Sequence, residues 1–413
     1  MGRKRQFNKS ILIIGSLVAI ILLFAVGRMG QGRAGKATQT QMEAAADDQN
    51  LVESIRKSHP QTTNIYTKLW VPTMVKTIDD LCFIVDSYHN QILVNTAGNF
   101  GTPLNEWQTL SGEFKGPHTI SGDGQLFLVD DTENDRAEVF LRTDEMKDGI
   151  PQFQLVQVFP NTGHRPHYTW YDPDTHMFYL WSSQTGEMYI FARNDEYSRP
   201  RLTLRGIHKF EEMQDTYVRS FTVNGGSMWF VSGVSLGLVE GDRKQERLGY
   251  KSRILQYSMP DLKLVREYPV PDEITGMVQL LPDPDKDGAW YFSVSTDRGN
   301  DQSKAGFFHA DSLDKLMKGL VSTAESGVDE SGDAAESAEG KTGNAAEPAE
   351  GKTVEPADGY TEIWDQAITG GGTPYFFSEM DARFVTAAGD NIGHAVWTFG
   401  LEAGKIVEPE GRY

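Results

Sequence analysis

The sequence of 413 residues is poor in cysteine, since Cys82 is its only one. A single cysteine excludes a disulfide within the chain. Cys82 stands in the apolar run LCFIVD, which is typical of a small core side chain rather than of a thiol nucleophile. The only Asn-x-Ser/Thr sequon is at Asn8, near the N-terminus. These absences fit a bacterial surface protein better than a eukaryotic secreted one.

Sequence motifs that identify a particular reaction are also missing. The sequence has no Gly-x-Ser-x-Gly elbow, no Walker loop, and no dinucleotide-binding glycine pattern between a strand and a helix. Serine-nucleophile hydrolysis, P-loop chemistry and Rossmann-type cofactor binding are therefore not supported. The sequence favours a protein that is not an enzyme, although an enzyme is kept as the alternative below.

Positive charge is scarce, because the formal net charge is -19. Residues 1–36 carry seven Lys or Arg and no acid, whereas residues 321–359 carry ten acids and two lysines. Subtracting +7 and -8 from -19 leaves -18 on the rest of the chain. A body so acidic repels phosphate backbones, so we expect no nucleic-acid partner. Cationic ligands, metal ions and basic partners remain open.

A long apolar run occurs at residues 11–26, ILIIGSLVAIILLFAV, and is preceded by four basic residues. These slightly outnumber the three that follow, so the positive-inside rule predicts a cytoplasmic basic tail at 1–10 and a signal-anchor transmembrane helix at 11–27. The rest of the chain would lie outside a bacterial cell membrane as a single-pass protein. A cleaved signal peptide is the alternative.

Two further segments differ in composition from the body. Residues 28–63 are predicted to be a juxtamembrane linker with a short helix around residues 42–58. Residues 321–358 hold the near-duplicate AAESAEGKTG and AAEPAEGKTV, whose small and acidic residues cannot bury enough apolar surface to fold. We expect a disordered acidic insertion there, within a single domain at 64–413.

The body lacks long helical periodicity and shows instead short runs rich in Val, Ile, Phe, Tyr and Trp between Gly, Asp, Asn and Pro turns. In two of these runs a proline lies ten residues before a core aromatic, as in Pro117 with Phe127 and Pro374 with Phe384. The repeated units span residues 72–94, 116–140, 165–191, 219–233 with 253–257, 275–295, and 373–399. Six units of roughly fifty residues predict an all-β fold, a six-bladed β-propeller.

The segments FLVDDTENDRAEVF and FIVDSYHNQILV carry the clearest form of the repeat. They resemble the NHL-repeat group of six-bladed propellers, in which a Pro-led inner strand precedes an aromatic-aliphatic-Val-Asp strand. The resemblance covers roughly residues 70–400. It implies a closed ring in which each sheet is buried between two neighbours.

The residue after each leading proline is expected near one mouth of the central channel. These positions are Thr73, His118, His167, Ser220, Met277 and Tyr375. His118 and His167 occupy equivalent places in adjacent units and should converge, with Arg165 and Arg219 close in sequence. We therefore predict a ligand site formed by His118, His167, Arg165, Arg219 and Tyr375. The alternative is that the histidines cap strands and hydrogen-bond to backbone.

Two functions follow from that mouth. The first is a recognition module that binds a protein, peptide or glycan. The second is a hydrolase or lyase that acts on an extracellular small molecule with zinc held by His118 and His167. Zinc needs a third protein ligand, for which His89 and His394 are the candidates.

An acidic turn follows an apolar run in the fifth unit. Asp283, Asp285 and Asp287 alternate before Gly288, as in the first half of a calcium loop. The twelfth position is Val294 rather than glutamate, which excludes an EF-hand. The sequence favours a plain Asp-Gly turn here, because acidic turns are common on solvated hairpins. A structural Ca²⁺ ion held by Asp283, Asp285 and Asp287 is the alternative, and it is preferred as a cofactor over zinc at the histidines.

Overall fold

The computed structural model describes the greater part of the chain. It covers residues 38–213, 218–231, 236–239, 243–246, 253–271, 274, 277–294, 306–317, 359–363, 374–380, 383–389, 394–402 and 405–413. The predicted basic tail, signal anchor and acidic insertion lie outside the described residues. Within the described ranges, no helix is both long and apolar enough to cross a membrane.

The strands run in chain order through successive antiparallel sheets. The first two sheets contain β1 (Thr62–Thr63), β2 (Pro72–Ile78), β3 (Leu81–Asp86), β4 (Gln91–Thr96) and β5 (Gln108–Thr109), then β6 (Ile120–Gly122), β7 (Leu126–Asp131), β8 (Arg136–Lys147) and β9 (Ile150–Pro160). The next two contain β10 (Pro166–Asp172), β11 (Met177–Ser182), β12 (Glu187–Asn194) and β13 (Arg201–Lys209), then β14 (Phe221–Asn224), β15 (Ser227–Phe230), β18 (Arg253–Ser258) and β19 (Leu264–Pro269). A separate hairpin, β16 (Leu236–Val239) with β17 (Arg243–Glu246), lies between β15 and β18 in the chain. The last two contain β20 (Met277–Pro282), β21 (Trp290–Val294), β22 (Gly306–Ala310) and β23 (Thr361–Glu362), then β24 (Pro374–Met380), β25 (Arg383–Gly389), β26 (His394–Glu402) and β27 (Lys405–Arg412).

Each sheet is a meander whose first long strand is the innermost, so the predicted all-β propeller class is confirmed. Among the described residues, five sheets have four strands and form clear blades. The sheet with β2 differs from the predicted four-stranded unit. Its order is β1-β5-β4-β3-β2, because Thr62 and Thr63 add a short strand against Thr109 and Gln108.

Among the described strands, none from the C-terminal end of the body joins the first sheet. Strand β2 packs against β6 on one side and against β24 on the other. Between the third and fourth sheets, Trp181 donates from Nε1 to the carbonyl oxygen of Val218 at 2.7 Å. The C-terminal Tyr413 reaches back to the first sheet, where its hydroxyl accepts from the Gly101 amide at 2.6 Å and its ring lies 6.0 Å from that of Trp107. The two ends of the body are thus joined by side-chain packing and by the Tyr413 hydrogen bond rather than by a shared strand.

Strand β3 shows why the apolar runs need neighbours on both sides. All six residues of LCFIVD are buried. Phe83 faces the second sheet, with its ring 5.3 Å from that of Phe127, whereas Cys82 and Ile84 join a cluster that includes Val396 of the last sheet. The thiol of Cys82 is fully buried, which confirms its prediction as a core side chain. A strand buried on both faces reads as a continuous apolar run rather than an alternating one.

The aspartates that end these strands hold the next turn of chain in place. Asp86 accepts a hydrogen bond from the amide of Trp70 at 2.7 Å, and Asp131 accepts one from the amide of Lys115 at the same distance. Both donors lie sixteen residues upstream, just before the inner strand of the same sheet. The last aspartate of β3 and the last aspartate of β7 therefore fasten the segment before the inner strand in the first two sheets, and each acts as a structural latch.

Two helices precede the first sheet inside the predicted linker 28–63. Helix α1 (Gln39–Ala46) starts at a capping box of Thr38 with Gln41, and helix α2 (Gln49–Ser58) starts at an N-cap from Asp48. Val52 and Ile55 of α2 bury into the main core, and both helices pack against β9. This part of the segment is therefore joined to the propeller.

Candidate functional site

The innermost strands all run in the same direction, so their starts gather at one mouth of the channel. His118 lies just before β6 and His167 is the second residue of β10. Their ring centroids are 4.0 Å apart with planes at 32°, and the residues are 9% and 0% exposed. Thr73 of β2 donates to the carbonyl oxygen of His118 at 2.8 Å. The structure thus brings the two histidines together at the mouth.

The imidazole of His118 is held by the segment before β6 and by the residue after β7. Its Nδ1 lies 2.9 Å from both the Gly116 carbonyl oxygen and Thr132 Oγ1. A carbonyl can only accept, so Nδ1 carries the proton when it bonds to Gly116. The Thr132 hydroxyl in turn donates to Asp130 at 2.8 Å and lies 2.7 Å from the Pro166 carbonyl oxygen, next to His167. One hydroxyl therefore links the two halves of the mouth.

Arg165 and Arg219 supply positive charge beside the two imidazoles. Arg165 adopts a left-handed backbone conformation with φ of 54°, which Asp135 supports by accepting its amide at 2.8 Å. Its guanidinium also pairs with Glu133. Arg219 precedes β14 and is partly exposed. Both charges act on His118 and His167, so four of the five predicted ligand-site residues share one mouth.

Burial keeps both imidazoles neutral. Burial first, and then the charge of Arg165, lower the pKa of His118 to about 3, against the opposing hydrogen bond to Gly116. Burial, followed by His118, Arg165 and Arg219, lowers the pKa of His167 well below its ordinary value. Because folding disfavours the charged form, the stability that His118 contributes is complete above its unfolded pKa of 6.5 and is lost as pH falls toward 3.

Asp130 supports the mouth from below and was not predicted from the sequence. Its carboxylate is fully buried and accepts from the His118 amide at 2.9 Å, the Thr119 amide at 2.6 Å and the Thr119 hydroxyl at 2.5 Å, besides Thr132. Burial raises the pKa of Asp130 to about 7, although these four donors oppose the rise. The sequence signal that could have identified Asp130 is the pair of aspartates in LVDD. The second of them, Asp131, forms the latch, so the first is left for another role.

The other predicted site residues lie away from the two histidines or outside the residues that the structure describes. Tyr375 lies in β24, and its side chain, like that of His394, is outside the described residues. His89 is not at the mouth's histidine pair but within the latch of the first sheet, with Nδ1 2.6 Å from Asp86 and its ring stacked 3.7 Å from that of Tyr66. In the part of the chain that is described, no group of three His, Cys, Asp or Glu could hold a metal ion.

The predicted calcium residues form the hairpin turn between β20 and β21. Asp283 Oδ1 accepts from the amide of Asp285 at 2.9 Å, and Asp283 Oδ2 lies 2.8 Å from His309 Nε2. The Asp283 amide donates to the Ala289 carbonyl at 2.9 Å, and Gly288 has a φ of 78°, which glycine adopts readily. Asp283 thus organises the turn, while the role of Asp283, Asp285 and Asp287 in calcium binding stays a prediction.

Fold and mouth together define a β-propeller with two histidines and two arginines at one end of its channel. The chain matches no protein family and no curated protein. Solved structures that resemble it include a putative 6-phosphogluconolactonase from Bacteroides uniformis, at 13% identity over 81% of this chain and 82% of that one, with a TM-score of 0.46. Another from Bacteroides fragilis has 12% identity, coverage of 83% and 84%, and a TM-score of 0.47.

A protein from Lactobacillus plantarum is similar at 14% identity, over 82% of this chain and 86% of that one, with a TM-score of 0.48. Similarity at this level carries no activity over to the present chain. The function must therefore be argued from the site itself.

Proposed function

We propose that this chain is a ligand-recognition propeller that binds an acidic ligand at the mouth formed by His118, His167, Arg165 and Arg219. The observation that carries the proposal is the placement of two guanidinium groups beside two neutral imidazoles. Guanidinium groups bind carboxylates and phosphates through paired hydrogen bonds, and neutral imidazoles add donors without adding charge.

The proposal predicts that Arg165→Met weakens binding of an acidic ligand by about tenfold or more, since one charge-assisted contact is lost. The measurement is a thermal-shift and calorimetric titration of the full chain against sugar phosphates, sugar acids and acidic peptides. Arg199→Met is the matched control, because Arg199 is an exposed arginine that contacts Gln154. Equal binding by both variants, or binding of neutral and basic probes alone, would contradict the proposal.

A metal-dependent hydrolase or lyase is the second candidate function. It is favoured by the neutrality of both imidazoles, since only a neutral imidazole can ligate zinc. The third ligand would have to come from side chains outside the described residues, such as His394. Zinc that copurifies with the full chain and disappears in His118→Ala with His167→Ala would support this candidate, and hydrolysis of a lactone or ester by the zinc form would establish it.

A calcium ion at the Asp283 turn is tested in the same preparation. If calcium binds there, it raises the melting temperature of the wild-type chain and a chelator lowers it, whereas Asp283→Asn abolishes both effects. A melting temperature that is indifferent to calcium identifies the segment as a hairpin turn alone.

We further propose that residues 11–27 anchor the chain in a bacterial cell membrane with the propeller outside. The apolar run and the basic residues before it support this orientation. Deletion of residues 1–27 should release the chain from membranes that survive an alkaline wash. Protease added to intact cells should cleave the propeller, and protection from it would reverse the orientation.

We also infer that the ring has six blades, as in the NHL-repeat group. The support is the five-stranded sheet, in which β2 to β5 form the same meander as the other blades and β2 packs between β6 and β24. A crystal structure of the full chain counts the blades directly, and a ring of five or seven would overturn the inference.

A further inference from the structure

Four ring side chains of the first sheet form an exposed cluster, the aromatic rim: Tyr66, Trp70, Tyr88 and His89. The Trp70 ring lies 5.5 Å from that of Tyr88 and 5.7 Å from that of His89. The His89 ring is stacked 3.7 Å from that of Tyr66. Trp70, Tyr88 and Tyr66 are 47%, 44% and 38% exposed. Exposed apolar side chains that are contiguous mark interaction sites, whereas single ones are common on any surface.

Trp70 stands at the same end of the channel as His118. It comes three residues before Thr73, whose hydroxyl donates to the His118 carbonyl oxygen at 2.8 Å. Three residues span at most about 11 Å, so the Trp70 backbone lies within that reach of the contact. The Trp70 amide donates to Asp86 at 2.7 Å, and the Trp70 carbonyl accepts from the Tyr88 amide at 3.1 Å. The exposed indole therefore stands on a fixed backbone at the edge of the mouth.

The turn that carries Tyr88 is joined to the second sheet at the mouth. It ends at Asn90, whose Oδ1 accepts from the Gly116 amide at 2.9 Å. The next pair of sheets has the same link, since Asp135 accepts from the Arg165 amide at 2.8 Å. Gly116 and Arg165 both precede a leading proline and have φ of 58° and 54°. The turn with Tyr88 is thus equivalent in position to the one that supports Arg165.

Val71, between Trp70 and the leading proline, has a strained backbone. Its φ is 55°, in the left-handed region, which is an outlier for a β-branched residue. The equivalent residue of the second sheet is Gly116, which adopts the same conformation at no steric cost. Strained residues cluster at functional sites, where the surrounding structure holds them in place. The backbone that positions Trp70 therefore shows a second mark of a binding surface.

We propose that the acidic ligand of the mouth is an oligosaccharide, an inference that rests on the function proposed above. Its acid group binds at Arg165 and Arg219, and a further sugar ring lies on Trp70 and Tyr88. A sugar ring has C–H groups on its face and hydroxyls at its edge, which match the ring face and polar tip of Trp and Tyr. Sheets packed face to face are about 10 Å apart. A ligand that reaches from the third sheet to the first is therefore longer than one sugar ring.

An extended peptide fits the aromatic rim less well than a glycan does. Peptides that bind along a strand require main-chain donors and acceptors from the protein. At the rim, the amide and carbonyl of Trp70 are both engaged, and the Val71 carbonyl accepts from the Ser87 amide at 3.3 Å. The rim thus offers ring faces and side-chain tips, which favours a glycan.

The inference is tested by calorimetric titration of the full chain with trigalacturonate, phosphorylated maltotriose, their acidic monosaccharides and unmodified maltotriose. Wild type should bind at least one acidic trimer about tenfold or more tightly than its monosaccharide. Trp70→Ala and Tyr88→Ala should each weaken that trimer severalfold, while the monosaccharide, which reaches only the arginines, keeps its affinity. Tyr197→Ala is the matched control, because Tyr197 is 47% exposed and lies between β12 and β13.

Arg165→Met separates this inference from the function on which it rests. If Arg165→Met weakens every acidic probe while Trp70→Ala and Tyr88→Ala bind the trimers like Tyr197→Ala, the acidic site stands and the oligosaccharide is wrong. Tighter binding of triglutamate than of any acidic trimer has the same meaning. If no acidic probe binds, or if Arg165→Met binds all of them like wild type, both proposals fall. The trimer that binds identifies the acid as a carboxylate or a phosphate, and unchanged melting temperatures show that the variants are folded.

Discussion

Asp130→Ala is expected to lower the free energy of unfolding by about 3–5 kcal/mol, one of the two largest effects we expect from single replacements in this chain. The carboxylate accepts from two backbone amides and two hydroxyls at 2.5–2.9 Å, all of them buried. Its loss leaves the two backbone amides without an acceptor, forces the two hydroxyls onto other partners and opens a cavity beneath His118. Chemical denaturation of the full chain measures the change.

The pH dependence of that loss gives a second measurement. Burial raises the pKa of Asp130 from 3.8 to about 7, so the folded state binds the proton more tightly than the unfolded state. The stability linked to this proton is complete below about pH 3.8 and is lost as pH rises to about 7. The destabilisation by Asp130→Ala should thus be larger near pH 4 than near pH 8. Asp144→Ala, at an exposed aspartate, should change stability by less than about 0.5 kcal/mol at either pH.

Arg136→Met is expected to cost about 3–5 kcal/mol, because it leaves two buried carboxylates without their cation. Arg136 Nε lies 2.7 Å from Asp131 Oδ2, and a terminal guanidinium nitrogen lies 2.8 Å from Glu138 Oε1. The side chains of both acids are fully buried. The methionine keeps most of the packing of the arginine stem, so the loss reports the charge rather than the volume.

The stability lost in Arg136→Met should depend on pH and on the presence of Glu138. Burial, opposed by Arg136, raises the pKa of Glu138 to about 8. Stability linked to the Glu138 proton is therefore present at low pH and is lost as pH rises through about 8. Without Arg136 the ionised forms cost more, so the variant should lose most above pH 8 and least near pH 5. Adding Glu138→Gln should restore part of the stability, and strict additivity of the two changes would show that the groups do not interact.

The repeated blades and the pairing of the two histidines could both be predicted from the sequence, because each depends only on a residue's position within its repeat. His118 and His167 follow the leading prolines of adjacent units, and equivalent positions of adjacent blades meet at one end of the channel. The five-stranded first sheet could not be predicted in the same way. Strand β1 is two threonines long and is held by pairing with β5, so its conformation depends on a partner 47 residues away.

The roles of Asp130 and Lys76 could not be predicted from the pattern of residue types alone. In LVDD, one aspartate is the latch and the other lies beneath the mouth, and only the pleat of β7 separates their roles. Lys76 stands in the run PTMVKTI, where a lysine in a strand suggests a solvent-facing position. It turns inward because Trp170 of another blade offers its ring, a contact of residues 94 positions apart. Such roles are set by tertiary packing.

Because β24 packs against β2, strand β2 must wait during synthesis for a neighbour that is made much later. About 300 residues separate these strands, so a ribosome that adds roughly 5–20 residues per second makes β2 about 15–60 s before the strand that covers it. During that interval the run LCFIVD has only one of its two neighbouring sheets, and the other face of β3 is open to unrelated chains. Chaperones that hold the nascent chain until β24 emerges would meet this need, and their removal should cost yield rather than stability.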